Sequence, residues 1–175
     1  MFDLKAVIMA GGKGTRISSI TNDEIPKPML TVGGKAILEH QITCLKKSGI
    51  NDIIIVTGHL GDKIKDYFGD GHNLNVNISY YEEDPDKPLG TAGSLYYLKD
   101  KINEDFVLIF GDVFLSVDFT RMLDFHRSHK SDATLLTHPN SHPFDSDLVV
   151  VDELGKIVKF DSKENVRNYD YKNLV

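Results

Sequence analysis

The chain has 175 residues, 41% hydrophobic and 26% charged, an ordinary globular composition able to bury about two-thirds of its extended surface. Lysine and arginine total 20 against 26 acidic residues, a net charge of −6, which argues against a general nucleic-acid or membrane-surface binder because such partners demand a basic face. A small anionic ligand held by a few local cations is compatible with that balance.

Met1-Phe2-Asp3-Leu4-Lys5 runs directly into a strand with no segment of the secretory type, and no apolar run approaches bilayer-spanning length. A cytoplasmic protein is expected. Leu4 to Ala10 is an apolar run ending in glycines, the pattern of a strand buried on both faces. A glycine-rich, then polar, loop extends from Gly11 to about Lys27. Ala36 to Ser48 reads as a helix that Gly49 ends. In it the single cysteine, Cys44, shares a stripe with Ile37, Leu38, Gln41 and Leu45, so it is expected in the core. One cysteine forms neither an internal disulfide nor a thiolate cluster.

Asp52 to Thr57 is a second buried strand, Gly61 to Phe68 a short amphipathic helix, and Asn75 to Tyr81 an alternating strand. Thr91 to Leu98 is predicted helical and Phe106 to Phe110 a further apolar strand. Asp118 is placed to cap a helix running to about Arg127. Ala133 to Thr137, Leu148 to Val151 and Ile157 to Phe160 are predicted strands, the last two joined by a turn at Glu153-Leu154-Gly155-Lys156. The alternation predicts an α/β fold of Rossmann type, an open, mostly parallel sheet with helices on both faces, followed by a strand-rich part. Residues 1–175 read as one domain. The polar tail after Asp161 and the ending at Leu174-Val175 suggest that its C-terminal part is incomplete.

Gly11-Gly12-Lys13-Gly14-Thr15-Arg16 follows the first strand, where a parallel sheet gathers ligands and glycines let backbone N–H groups converge on an anion. The loop is neither a phosphate-binding G-K-[S/T] loop nor a G-x-G-x-x-G dinucleotide fingerprint, whose third glycine would fall on Ile17. Downstream, Ile25-Pro26-Lys27-Pro28-Met29-Leu30 sets one lysine between two prolines. That predicts a stiff, extended segment able to aim an ammonium with little entropy lost.

These two motifs are joined by Gly34-Lys35-Ala36-Ile37-Leu38-Glu39-His40, Pro88-Leu89-Gly90-Thr91-Ala92-Gly93 and Phe110-Gly111-Asp112. Together, in this order, they closely resemble the sugar-phosphate nucleotidylyltransferases. The resemblance implies that the backbone of Ala10, Gly11 and Gly12, with Gly14, Thr15 and Gly111, binds the nucleotide. Gly90 and Thr91 would sit beside base and ribose. Arg16 would neutralise the departing pyrophosphate, Lys27 would hold the α-phosphate and the sugar phosphate, and Asp112 would bind Mg²⁺. Charge alone makes the same set sensible: two phosphorylated anions repel one another, and cations fixed in advance offset that.

Arg16-Ile17-Ser18-Ser19-Ile20-Thr21 and Thr137-His138-Pro139-Asn140-Ser141-His142-Pro143 are similar to a branch handling heptose 1-phosphates, sometimes fused to a phosphatase. This implies GTP as nucleotide and a GDP-heptose or GDP-mannose type product for polysaccharide assembly. The sugar-side motif departs from the family. Asp147 replaces a glycine and Asp161-Ser162-Lys163-Glu164 replaces E-E-K-P, so Lys163 is either a sugar-phosphate ligand or a solvated lysine. The family's second metal-binding aspartate would lie beyond residue 175. His59 is a further candidate at the nucleotide, His138 and His142 read as loop residues because Pro139 breaks a helical pair, and Glu82-Glu83-Asp84 reads as a solvated cluster. Two other readings stay open: a non-catalytic nucleotide-binding module of the same fold, and transfer to a non-sugar acceptor such as phosphocholine.

Overall fold

The computed structural model describes residues 4–12, 24–138 and 146–166. The chain divides into two compact units, 1–124 and 125–175.

The first unit is built on four strands: β1 (Lys5–Met9), and, after a short hairpin of β2 (Thr31–Val32) and β3 (Lys35–Ala36), β4 (Asp52–Thr57), β5 (Asn77–Glu82) and β6 (Phe106–Phe110). β5, β4, β1 and β6 pair in that spatial order, and every pairing is parallel. Between them run α1 (Ile37–Lys47), α2 (Gly61–Phe68) and α3 (Gly90–Leu98), and α4 (Phe119–His129) follows β6. The expected alternation is borne out, helices on both faces included.

Strand geometry explains the two-faced burial. Successive side chains leave a strand on opposite sides, and both sides of this sheet are covered. On one side Ala6, Ile8, Ile53, Ile55 and Ile109 pack with Leu38, Ile42 and Leu45 of α1, Ile64 and Phe68 of α2, and Phe119 and Leu123 of α4. On the other, Val7, Ile54 and Val56 meet Leu95 and Leu98 of α3. Uninterrupted runs such as Ile53-Ile54-Ile55-Val56 therefore have a partner for every residue.

Helix ends follow local chemistry. Gly49 takes a positive φ of 78° after α1, its N–H donating to the Lys46 carbonyl at 2.9 Å. Asp118 Oδ1 accepts the Arg121 N–H at 3.1 Å, the capping bond expected of an aspartate before α4. Cys44 is partly buried, its Sγ donating to the Val117 carbonyl at 3.0 Å. Among the described residues no helix is long and apolar enough to cross a membrane.

In the second unit β7 (Leu148–Val151) and β8 (Ile157–Asp161) form an antiparallel pair. Asp152 Oδ1 closes their turn by accepting the N–H groups of Leu154 and Lys156. The strand expected over Ala133 to Thr137 is absent. Leu135 and Leu136 are exposed and the segment pairs with no described strand, so its apolar pattern has no ladder to join.

Candidate functional site

The strand order places a topological switch between β1 and β6. From β1 the chain builds outward through β4 to β5, then returns to the opposite side of β1 as β6. Loops leaving the carboxyl ends of β1 and β6 therefore diverge and open a crevice. A cleft of about 310 Å³ lies there. Its lining includes Ala10, Gly11 and Gly12 after β1, Gly58 after β4, Glu83 after β5, Gly90 and Thr91 at the start of α3, and Lys27, Phe110 and Asp112.

Close backbone packing makes the floor. A Cβ on Gly58 would stand 2.8 Å from the Gly11 carbonyl oxygen, so only glycine allows these two loops to touch. Gly111 does not line the cleft but packs beneath it. Its N–H donates to the Met9 carbonyl at 2.8 Å, and a Cβ there would lie 3.0 Å from Met9 O, 3.1 Å from Pro28 Cγ and 3.3 Å from Ala10 Cβ. The loop after β1, the lysine segment and the end of β6 are thus fitted together at one glycine.

The Pro26–Pro28 segment corrects an expectation. Pro26 is extended, with ψ 140°, but Lys27–Met29 form one turn of 3-10 helix rather than an extended strand. The first turn of a helix asks no N–H of Pro28, so proline is tolerated there. The expected stiffness survives in a tighter form. Lys27 Nζ lies 3.7 Å from Asp112 Oδ2, with the lysine side chain 22% exposed and the aspartate 50%. This is a loose pair, beyond direct hydrogen-bonding distance, and both groups face the cleft.

Gln41 of α1, fully buried, steadies the aspartate's loop. Its Nε2 donates to the Phe110 carbonyl at 2.9 Å and to the Val113 carbonyl at 2.6 Å, the two carbonyls that bracket Gly111-Asp112.

Glu83 departs furthest from its sequence reading. It is not solvated but 7% exposed, because the strand direction carries it inward beside α3. Its N–H donates to the Thr57 carbonyl at 2.8 Å, and its Oε1 accepts from the buried Ser94 hydroxyl. The rule that located the loops after β1 and β6, applied to the carboxyl end of β5, would have found it. Gln41 carries no such signal, since its spacing marks only a buried helix face.

The structure thus brings together Ala10, Gly11, Gly12, Lys27, Gly90, Thr91 and Asp112, with Gly111 beneath them. Gly14, Thr15 and Arg16, like His142, lie outside the described residues. His59 is not in the cleft lining. Lys163 belongs to the second unit, where its N–H donates to Asp147 Oδ1 at 2.9 Å. His138 follows the irregular 132–137 segment.

A parallel sheet wound on both faces, with a glycine-floored cleft at its switch point and a lysine and an aspartate paired in its lining, defines a doubly wound α/β ligand-binding class. The comparisons narrow it. Residues 5–170 match the family model described as nucleotidyl transferase. The chain is 35% identical over 175 residues to a UTP–glucose-1-phosphate uridylyltransferase of Synechocystis, covering 93% of this chain and 45% of that one. It is 33% identical over 162 residues to a D-glycero-α-D-manno-heptose 1-phosphate guanylyltransferase of Aneurinibacillus thermoaerophilus, covering 91% of this chain and 68% of the relative. A solved structure from Bacillus anthracis, assigned as a glucose-1-phosphate thymidylyltransferase, superposes with a TM-score of 0.80 at 30% identity, over 91% of this chain and 64% of that one. The chain belongs to the nucleotidyl transferase family. It spans less than half the length of the Synechocystis relative.

Proposed function

We propose that the protein transfers a nucleoside monophosphate from a nucleoside triphosphate to a sugar 1-phosphate, releasing pyrophosphate. The observation that carries this reading is the meeting of Lys27 and Asp112, from separate segments, at 3.7 Å in a glycine-floored cleft. An oxygen of the sugar phosphate attacks the α-phosphorus. A new P–O bond forms as the α–β bond breaks, and pyrophosphate leaves with the electron pair. The attacking oxygen is already ionised near neutral pH, so no general base is needed. What the reaction needs is fixed positive charge between two anions.

Lys27 supplies that charge at the α-phosphate and the incoming phosphate, and the Ala10–Gly12 backbone receives the nucleotide. Arg16 is assigned to the departing pyrophosphate and Gly14 and Thr15 to the same phosphate-binding loop. Lys163 is assigned to the sugar phosphate. Gly90 and Thr91 border base and ribose.

Magnesium suits this donor set. No group of three or more His, Cys, Asp or Glu side chains converges among the described residues. The half-exposed Asp112 carboxylate, held only loosely by Lys27, leaves an oxygen for a hard cation that takes one or two carboxylates and completes its shell with water and phosphate oxygens. Bound by Asp112, Mg²⁺ would neutralise charge on the triphosphate.

The product is assigned as a GDP-sugar of manno configuration, GDP-heptose or GDP-mannose, a donor for polysaccharide assembly in the cytoplasm. Support comes from the Arg16–Thr21 sequence and from the guanylyltransferase relative, which the chain covers over 68% of its length. The test is pyrophosphate release with Mg²⁺, crossing GTP, UTP, CTP, dTTP and ATP against heptose, mannose and glucose 1-phosphates and phosphocholine. Release with GTP and a manno-configured sugar phosphate supports the full reading. Nucleotide binding without release from any pair points instead to a non-catalytic module, and release with phosphocholine to another acceptor.

A further inference from the structure

Residues 111–118, which carry Asp112, join β6 to α4 without helix or strand. No ladder of backbone bonds therefore fixes the aspartate. What holds the segment is α1, none of whose residues lines the cleft. Gln41 Nε2 donates to the carbonyls of Phe110 and Val113 at 2.9 and 2.6 Å. One position earlier, the His40 ring meets Phe114 edge-on, with centroids 5.1 Å apart. A turn further on, Cys44 Sγ donates to the Val117 carbonyl at 3.0 Å and accepts the Val117 N–H at 3.4 Å. Positions 40, 41 and 44 lie on one side of a helix, so one rigid element grips the chain from Phe110 to Val117.

Of the three, Gln41 alone spans the aspartate. It is fully buried, both its amide hydrogens are spent on the two carbonyls, and its Oε1 has no partner among the described residues. Turning the amide over would set Oε1 against two carbonyl oxygens, so the orientation is forced by chemistry. An amide buried with its oxygen unmet forfeits part of what its donated bonds contribute. Stability alone does not account for it. What the forked donor adds is a fixed separation between the Phe110 and Val113 carbonyls, and with it a fixed course for the Gly111-Asp112 backbone between them.

We propose that Gln41 is a positioning residue for the divalent cation: it keeps the Asp112 carboxylate, 3.7 Å from Lys27 Nζ, where a cation can be shared with the triphosphate. This rests on the nucleotidyl-transfer reading of the cleft and on Asp112 as the magnesium ligand. Mg²⁺ demands near-ideal geometry and takes few protein carboxylates, so a site with one aspartate in hand depends on where the backbone sets it. Gly111 fixes that backbone against β1 and the lysine turn, and Gln41 fixes it against α1. Gln41 touches neither nucleotide nor cation and acts only through the loop.

The test is calorimetric binding of GTP, UTP, CTP, dTTP and ATP to the wild-type chain, in Mg²⁺ and again in excess EDTA. The tightest of them is then titrated into Gln41→Met, which matches glutamine in length without its donors, and Gln41→Asn, which withdraws the amide by one methylene. The wild type is expected to bind at least about tenfold tighter in Mg²⁺ than in EDTA, and in either variant that advantage should fall to about one, the scale of effect seen when a group that orients a metal's ligand is lost. Affinity in EDTA should not fall, because without the cation Asp112 offers the triphosphate nothing. Asp118→Ala, which loosens α4 instead, should keep the full advantage. A Gln41 variant that retains the Mg²⁺ advantage, or that loses affinity equally in Mg²⁺ and EDTA, overturns the proposal and leaves nucleotidyl transfer standing. A wild type indifferent to Mg²⁺ overturns it together with the magnesium assignment, and no binding of any nucleotide removes the transfer reading as well.

Discussion

Lys27 and Arg16 are the residues on which the proposed chemistry turns. Removing one fixed charge from a site of this kind costs about 10²–10³ in turnover. Lys27→Ala and Arg16→Ala are each expected to lose that much in a pyrophosphate-release assay while unfolding normally in urea, and near-normal turnover would remove the assigned role. Gln41 acts one step back. In Gln41→Leu the carbonyls of Phe110 and Val113 lose their donor, each at about 1–3 kcal/mol. A urea midpoint unchanged from wild type would show that the clamp contributes nothing. Tyr80 gives a pH signature. Burial first, then the charge of Asp70, raises its hydroxyl from the ordinary 10.0 to about 12; it donates to the Gly69 carbonyl at 2.8 Å. The folded state holds this proton more tightly than the unfolded one. The contribution is thus complete below pH 10 and is lost as pH rises toward about 12. Tyr80→Phe should flatten the fall in stability over that window in alkaline denaturation.

At the level of elements, the cleft depends on how loops are fitted rather than on any one loop. Gly111 joins the β1 loop, the lysine turn and the end of β6, and the space for a methyl group is closed by Met9 O at 3.0 Å. Gly111→Ala must push these segments apart. Overpacking of this kind costs about 1–3 kcal/mol. Equilibrium dialysis should show nucleotide affinity falling at least about tenfold, since positioning is lost along with packing. Unchanged affinity would mean that the three segments need not touch. The capping bond of Asp118 is independent of the cleft. Asp118→Ala should cost about 1 kcal/mol in urea and leave nucleotide affinity alone. These elements were readable in advance where a pattern is local: the continuous apolar strands, Gly49 after α1, Asp118 before α4. The failures are equally physical. Ala133–Thr137 has strand composition but no partner among the described strands. Lys27 sits in a helical turn because the chain must bend into the β2–β3 hairpin, which no propensity for Lys-Pro encodes.

For the whole molecule, ligand binding and stability are linked. A nucleotide at one hundred times its dissociation constant adds about 2.7 kcal/mol, which for a chain of this length raises the melting temperature by about 5–10 °C. Scanning calorimetry with GTP and Mg²⁺ should show such a shift, and its absence at millimolar nucleotide would argue against the cleft as a nucleotide site. The sequence by itself determined the alternation of strand and helix, the two-faced burial of the strands and the motifs that carry the family, because these depend on neighbours in the chain. The tertiary structure alone decided which strand ends share a crevice, that Lys27 and Asp112 meet across 85 positions of sequence, and that Glu83 turns inward while Glu82 stays outside. Those outcomes follow from the strand order and from contacts between distant segments, and periodicity along a chain holds no record of either.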